Sequence, residues 1–316
     1  MIIDATPHID EQALRALVAR VFGRSIERVE RVRSGGSTPV YRVRSATGVF
    51  YIRLAETPEA SLAPEARVHA LLRRRGVRVP DVVFFEPFDE ALCRSVLVTT
   101  EIAGEPVAVR PLDAITRRIV REAGRDLALI NQLPVQGYGW IVRRHGREAL
   151  QADYAERRMW VAEHAAAVEL LVRTQRLVGR AARTAQTAVE RWAALSSGER
   201  SWLAHGDFDV SHIFQHAGRY SGVIDFGEIR GADRWYDLGH FHFHDGETLA
   251  GLVFPDLLAG YHEVQPVPDD LIARVELEAL AVGLMAFART IERAESAYTL
   301  WLDRRVHQLL KCPPPR

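Results

Sequence analysis

The segment His205-Gly206-Asp207-Phe208-Asp209-Val210-Ser211-His212 sets an aspartate beside a histidine and leaves a possible metal ligand five residues on. Val223-Ile224 then lead, as the end of a strand, into a second aspartate in Asp225-Phe226-Gly227. One carboxylate in a loop can orient and deprotonate a hydroxyl. A second, with a further ligand, can hold Mg²⁺ on nucleotide phosphates. Phosphoryl transfer needs that combination.

The order of these motifs resembles the protein-kinase pattern H-R-D-x-x-x-x-N followed by D-F-G, with Asp207 and His212 at the matching spacing. The wording H-G-D is similar to that of the aminoglycoside phosphotransferase family, small-molecule kinases with a protein-kinase-like fold. Asp233-Arg234-Trp235-Tyr236-Asp237-Leu238 resembles the family's G-D-x-x-Y-D-L-A stretch, with Ala232 in the first position and Gly239 in the last. The resemblance covers about Val29 to about His244.

That resemblance implies an α+β, protein-kinase-like bilobal fold. Residues 1–100 would form a nucleotide-binding lobe with an antiparallel sheet and a helix. Residues 101–316 would form a larger, mainly helical lobe for catalysis and acceptor binding. The implied reaction moves the γ-phosphate of ATP or GTP to a hydroxyl of an aminoglycoside-, macrolide- or related small-molecule acceptor, with Mg²⁺ as cofactor. Asp207 is the expected base and Asp225 an expected metal ligand. His212 stands where most of the family holds Asn, and the macrolide phosphotransferase branch is similar in carrying His there. An imidazole can ligate Mg²⁺, although that cation prefers oxygen; the alternative is that His212 packs or hydrogen-bonds within the loop. His205 and Asp237 are expected to brace that loop.

Several elements must position these groups. Leu14, Leu17, Val18 and Val21 recur at helical spacing, and Gly23 ends that helix. Val29–Val32, Val40–Val43 and Val49–Leu54 read as antiparallel strands, the first two joined by Ser34-Gly35-Gly36-Ser37-Thr38. Small residues in such a turn let backbone N–H groups approach phosphate oxygens, so Ser37 and Thr38 are candidate phosphate contacts; a Gly-Gly turn also suits a plain hairpin. Arg53 closes the third strand where kinases carry a lysine for the α- and β-phosphates, and a guanidinium binds phosphate bidentately. Glu65, early in a helix through Leu72, is its expected partner, or else a favourable charge at a helix start. Val79–Phe84 and Ser95–Thr100 supply two further strands. The following Thr100-Glu101-Ile102-Ala103 resembles the hinge whose backbone binds the nucleotide base, which nominates Thr100 and Ile102. Helices are expected from about Leu112, over Tyr154 to Leu195 with a break near Gly179, and from about Asp269 to Leu310.

The chain has 316 residues, 41 basic and 41 acidic, so charge offers no footprint for nucleic acid or a membrane. No run of about 18 apolar residues occurs. Two cysteines, Cys93 and Cys312, form no disulfide framework, and the start lacks a signal-peptide layout. A cytoplasmic setting is expected. Rival readings are a catalytically weak kinase-like nucleotide-binding protein, or a kinase of a metabolic sugar or amino alcohol. A metal site on His240, His242 and His244 needs a strand there, whereas the resemblance puts a helix. Glu228, Asp245 and Glu247 could line an acceptor pocket.

Overall fold

Polarity alternates along short β-rich runs, and these form a five-stranded antiparallel sheet. Its strands are β1 (Ile26–Arg31), β2 (Val40–Ser45), β3 (Gly48–Leu54), β4 (Val82–Asp89) and β5 (Arg94–Thr100), in the order β1-β2-β3-β5-β4. Successive residues of a strand face opposite sides, so Val43, Ile52, Leu54, Val96 and Val98 share one face. Helix α1 (Glu11–Phe22) covers it with Leu14, Leu17 and Val18. The Asp10 carboxylate caps α1 by accepting from the Gln12 N–H. Arg53 points the other way, directly across from Leu97. Leu97 packs with Leu62 and Ala66 at the start of α2 (Ala63–Arg74). Register therefore carries Arg53 to the α2 side of the sheet.

Sequence alternation predicts a strand over Val79–Phe84, but pairing begins at Val82 and runs on to Asp89. Pro80 has no N–H for a ladder, and β4 lies at the sheet edge, where Pro87 is tolerated.

This computed structural model describes residues 9–23, 26–32, 38–146, 149–195 and 200–311. Two compact units result. One is drawn from Met1–Ala103, Val142–Leu150 and Ser221–Ile224, the other from Gly104–Ile141, Gln151–Tyr220 and Asp225–Arg316. The second unit carries short strands: β6 (Glu105–Pro106), β7 (Pro134–Val135), β8 (Tyr138–Ile141), β9 (Ala152–Tyr154), β10 (Ser201–Ala204), β11 (Ile213–His216) and, past β12 (Arg219–Val223), β13 (Arg230–Ala232). Five of them form a sheet in the order β7-β10-β13-β8-β9. Its helices are α3 (Ala114–Ile130), α4 (Arg157–Arg173), α5 (Gly179–Leu195), α6 (Tyr236–His244), α7 (Phe254–His262), α8 (Leu271–Ala288) and α9 (Ala297–Lys311). Helix α8 is apolar nearly all round, which marks a core helix. Leu277, Leu280, Leu284 and Phe287 meet Trp160 and Leu171 of α4, Trp192 of α5 and Leu302 of α9 in one core. Among the described residues no helix is long and apolar enough to cross a membrane.

One acid sits inside that core. Glu278 of α8 is 3% exposed and accepts from Trp192 Nε1 at 2.6 Å. A Cβ on Gly239 would lie 2.6 Å from the Glu278 Cβ, which explains glycine at that motif position. Burial first, and the nearby Asp233 carboxylate next, push the Glu278 pKa up to about 8. Between the ordinary glutamate value and about 8 the folded protein holds a proton that the unfolded chain releases. Stability therefore falls as pH rises through that window and levels off above it. The Tm of the protein is expected to drop between pH 6 and pH 9. Glu278→Gln is expected to flatten that slope and to gain on the order of 2 kcal/mol at pH 9. Parallel Tm–pH curves for the two proteins would contradict this.

Candidate active site

Strand β10 ends at Ala204 and hands the chain to His205-Gly206-Asp207. The fully buried Asp237, in the first turn of α6, fixes that loop. Its Oδ2 accepts from the His205 N–H at 2.8 Å and from Asn131 Nδ2 at 2.7 Å, and its Oδ1 accepts from the Gly206 N–H at 2.9 Å. Burial pushes the Asp237 pKa up, and these donors pull against that. Gly206 has φ +89°, and a Cβ there would stand 1.9 Å from the Glu228 carbonyl oxygen. Glycine in H-G-D thus meets both a left-handed backbone and a close approach of two chain segments. The His205 ring is buried, 4.7 Å from the Phe226 ring, and its Nδ1 accepts from the Asp207 N–H at 3.3 Å.

Asp207 projects from this braced loop with its side chain 42% exposed. His212 lies behind it. The His212 Nδ1 is 2.6 Å from the Asp207 carbonyl, which can only accept, so Nδ1 carries the proton. That leaves Nε2 facing Asp225 Oδ2 at 4.0 Å. Burial alone would lower the His212 pKa. The Asp209, Asp207 and Asp225 carboxylates outweigh burial and raise it. Asp225 has a left-handed backbone, φ 65° and ψ 69°, and accepts from the Gly227 N–H at 3.2 Å. Non-glycine residues in this region cluster at functional sites. The structure thus brings Asp207, His212 and Asp225 together.

Asp209, which sequence reasoning passed over, joins them. Ligand atoms of Asp207, Asp209 and His212 all lie within 4.8 Å of one another. Asp209 also accepts from the Ser211 N–H at 2.6 Å, a local turn. The Asp-x-Asp spacing was its only signal. His240 was also missed as a neighbour of the carboxylate, its Nε2 lying 3.5 Å from Asp207 Oδ1. Helix α6 carries all three histidines, so the three-histidine strand face does not form.

In the first unit, Arg53 Nε lies 3.5 Å from Glu65 Oε2, and Glu65 is buried at 1% exposure. Arg143 Nη1 reaches Glu65 Oε1 at 3.0 Å; nothing local in the sequence signals this second cation. Thr38 donates its hydroxyl to Glu56 at 2.9 Å. Ser37 lies outside the described residues. The Thr100 N–H donates to the Asp81 carbonyl at 2.9 Å, and Thr100 Oγ1 accepts from the Asp81 N–H at 2.9 Å. Ile102, half-buried, follows Glu101, whose carboxylate accepts from Arg42 Nη2 at 2.9 Å and Tyr51 at 3.3 Å. Asp245 gives its oxygens to the N–H groups of Val253 and Phe254 at the start of α7, a structural use. Glu228 pairs with Arg230 at 3.3 Å and Glu247 with His244 at 2.7 Å.

The sequence profile of the phosphotransferase enzyme family matches residues 28–274. The chain belongs to that family. This phosphotransferase has the protein-kinase-like α+β fold of its structural neighbours. It is similar to the aminoglycoside phosphotransferase APH(4)-Ia, solved as a thermostable mutant in a ternary complex with ADP and hygromycin B. The TM-score is 0.71 at 15% identity, covering 96% of this chain and 100% of that one. A protein assigned as a fructosamine-3-kinase from Thermobifida fusca YX-ER1 matches with TM-score 0.61 at 17% identity, over 94% of this chain and 98% of that one. A protein assigned as an aminoglycoside phosphotransferase from Ralstonia eutropha JMP134 matches with TM-score 0.63 at 12% identity, over 96% and 97%. Comparison with curated protein sequences returns no significant match.

Proposed function

We propose that this phosphotransferase moves the γ-phosphoryl group of ATP or GTP to a hydroxyl of a small-molecule acceptor of the aminoglycoside, macrolide or a related class. The observation that carries this reading is Asp207, exposed on a loop braced by Asp237, beside His212 and Asp225. Asp207 orients the acceptor hydroxyl and takes its proton. The hydroxyl oxygen bonds to the γ-phosphorus as the bond to the β-phosphate oxygen breaks. Transition states of this kind are loose, so positioning and charge neutralisation carry most of the rate.

Asp225 and His212 are assigned to Mg²⁺, which neutralises charge on the phosphates when bound. The Asp225 carboxylate is the hard oxygen ligand this cation prefers. The His212 tautomer, with Nδ1–H held by the Asp207 carbonyl, leaves Nε2 to ligate. Arg53, braced by Glu65, is assigned to the α- and β-phosphates, with Ser37 and Thr38 as further phosphate contacts. Thr100 and Ile102 are assigned to the base through their backbone. Residues 1–100 then serve the nucleotide, and 101–316 the chemistry and the acceptor. APH(4)-Ia complexes with ADP and with AMP-PNP support a nucleotide co-substrate. The fructosamine-3-kinase neighbours favour a second reading, a metabolic amino-sugar acceptor. Retention of both Asp207 and Asp225 speaks against a purely binding protein.

Calorimetric titration of Mg·ATP tests the metal assignment. Asp225→Ala is expected to weaken binding by about tenfold or more, a loss of ~1.4 kcal/mol, and to make the remaining binding insensitive to Mg²⁺. Because the raised His212 pKa favours the imidazolium, affinity for Mg²⁺ is expected to fall as pH drops through that pKa. Unchanged binding in Asp225→Ala would remove Asp225 from the metal site.

A further inference from the structure

Four rings form a chain of contacts from the Asp207 carboxylate to Tyr298 of α9. His240 Nε2 is 3.5 Å from Asp207 Oδ1, and the His240 and His244 rings lie 4.6 Å apart, one helical turn along α6. His244 stacks on Trp301 at 5.1 Å and 17°. Trp301 stacks on Tyr298 at 5.9 Å and 12°. Further contacts anchor the array. Arg305 of α9 donates to the carbonyls of Phe243 at 2.9 Å and His242 at 3.0 Å, which ties α9 to the C-terminal end of α6. His244 is further fixed by Glu247 at 2.7 Å.

The inner ring, His240, is buried, whereas the outer ring, Tyr298, is 45% exposed. It also lies within electrostatic reach of the reacting group. Burial first, then the charges of Glu247, Asp207 and Asp209, push the phenol up to about 12. A pocket bordered by Asp209, Val210, Phe241, His244 and Glu247 flanks the stack.

We propose that Tyr298, backed by Trp301, presents a stacking face for a ring of the acceptor and so selects ring-bearing hydroxyl compounds over small acyclic alcohols. The inference rests on the kinase reading above. A flat, preorganised aromatic face binds the apolar face of a sugar or aromatic ring with little ordering cost. It offers a compact acyclic alcohol little to grip.

The test measures acceptor-dependent ADP release at saturating Mg·ATP. Ring-bearing probes are hygromycin B, erythromycin and fructosyl-lysine; acyclic probes are ethanolamine and glycerol. A ring-bearing probe is expected to be turned over with the higher kcat/KM. Tyr298→Ala is expected to raise its KM by about tenfold, with kcat, the KM for ATP and the Tm close to wild type. Tyr298→Phe, which keeps the ring, is expected to retain the wild-type acceptor KM, and Trp301→Leu to repeat the Tyr298→Ala effect. An acceptor KM unmoved in both Tyr298→Ala and Trp301→Leu would overturn the platform, as would better turnover of an acyclic probe. Absence of release with every probe, with Asp207→Asn indistinguishable from wild type, would remove the kinase reading itself and this inference with it.

Discussion

Asp207→Asn is expected to lower acceptor-dependent ADP release by about 10²–10⁴-fold, the range that a positioned general base contributes. Binding of Mg·nucleotide and the Tm are expected to stay at their wild-type values. The reasons are geometric. The Asp207 carboxylate projects from the loop with its side chain 42% exposed, so an isosteric amide disturbs no packing. The loop is held by other atoms, the backbone N–H groups of His205 and Gly206 on Asp237 and the Asp207 carbonyl on His212. The substitution therefore removes the proton acceptor and leaves its frame. A steady-state assay beside a nucleotide titration checks both halves. Wild-type turnover in the variant would show that the base lies elsewhere.

The second large effect falls on stability. Asp237→Ala is expected to destabilise the protein by about 3–5 kcal/mol, as removal of one partner from a buried charged network does. Three donors lose this acceptor together: the His205 N–H, the Gly206 N–H and Asn131 Nδ2, which keeps only its bond to the Leu203 carbonyl. The loss concentrates where the catalytic loop leaves β10. Amide hydrogen exchange at His205 and Gly206 is therefore expected to rise more than exchange in α8. Asp237→Asn, which keeps one acceptor oxygen, is expected to fall between alanine and wild type. Urea unfolding of the three proteins orders them. An alanine variant as stable as wild type would mean that the clamp adds nothing to the fold.

The parts of this architecture that local sequence encodes were legible. Helix α3 follows from Ile119, Ala123, Leu127 and Ile130, whose 3.6-residue spacing marks one buried face. The break between α4 and α5 follows from a pattern that stops before Gly179. The grouping of Asp207, His212 and Asp225 was legible through the resemblance of their two motifs, H-G-D and D-F-G, to the kinase pattern. What escaped depends on contacts between distant positions. Asn131 meets Asp237 across 106 residues, and Arg143 reaches Glu65 from a separate segment. Neither carries a local signal. Glu278 looks like an ordinary helix-surface glutamate until α5 brings Trp192 over it. Asp245 reads as a candidate to line an acceptor pocket; it borders one, and its bonds to the start of α7 were not legible. The short strands β6, β7, β9 and β13 are too brief for alternation to show. The slip of β4 to Val82–Asp89 has a similar cause, since only its edge position makes Pro87 acceptable.

The central claim is transfer of a phosphoryl group to a hydroxyl by way of Asp207. Its most direct measurement follows radiolabel from [γ-³²P]ATP, with Mg²⁺ present, in reactions with hygromycin B, erythromycin and fructosyl-lysine. The expected result is label bound covalently to a hydroxyl of one acceptor with wild-type protein and none above background with Asp207→Asn. Label that remains on ATP or appears only as inorganic phosphate, with every acceptor and in both proteins alike, would contradict it.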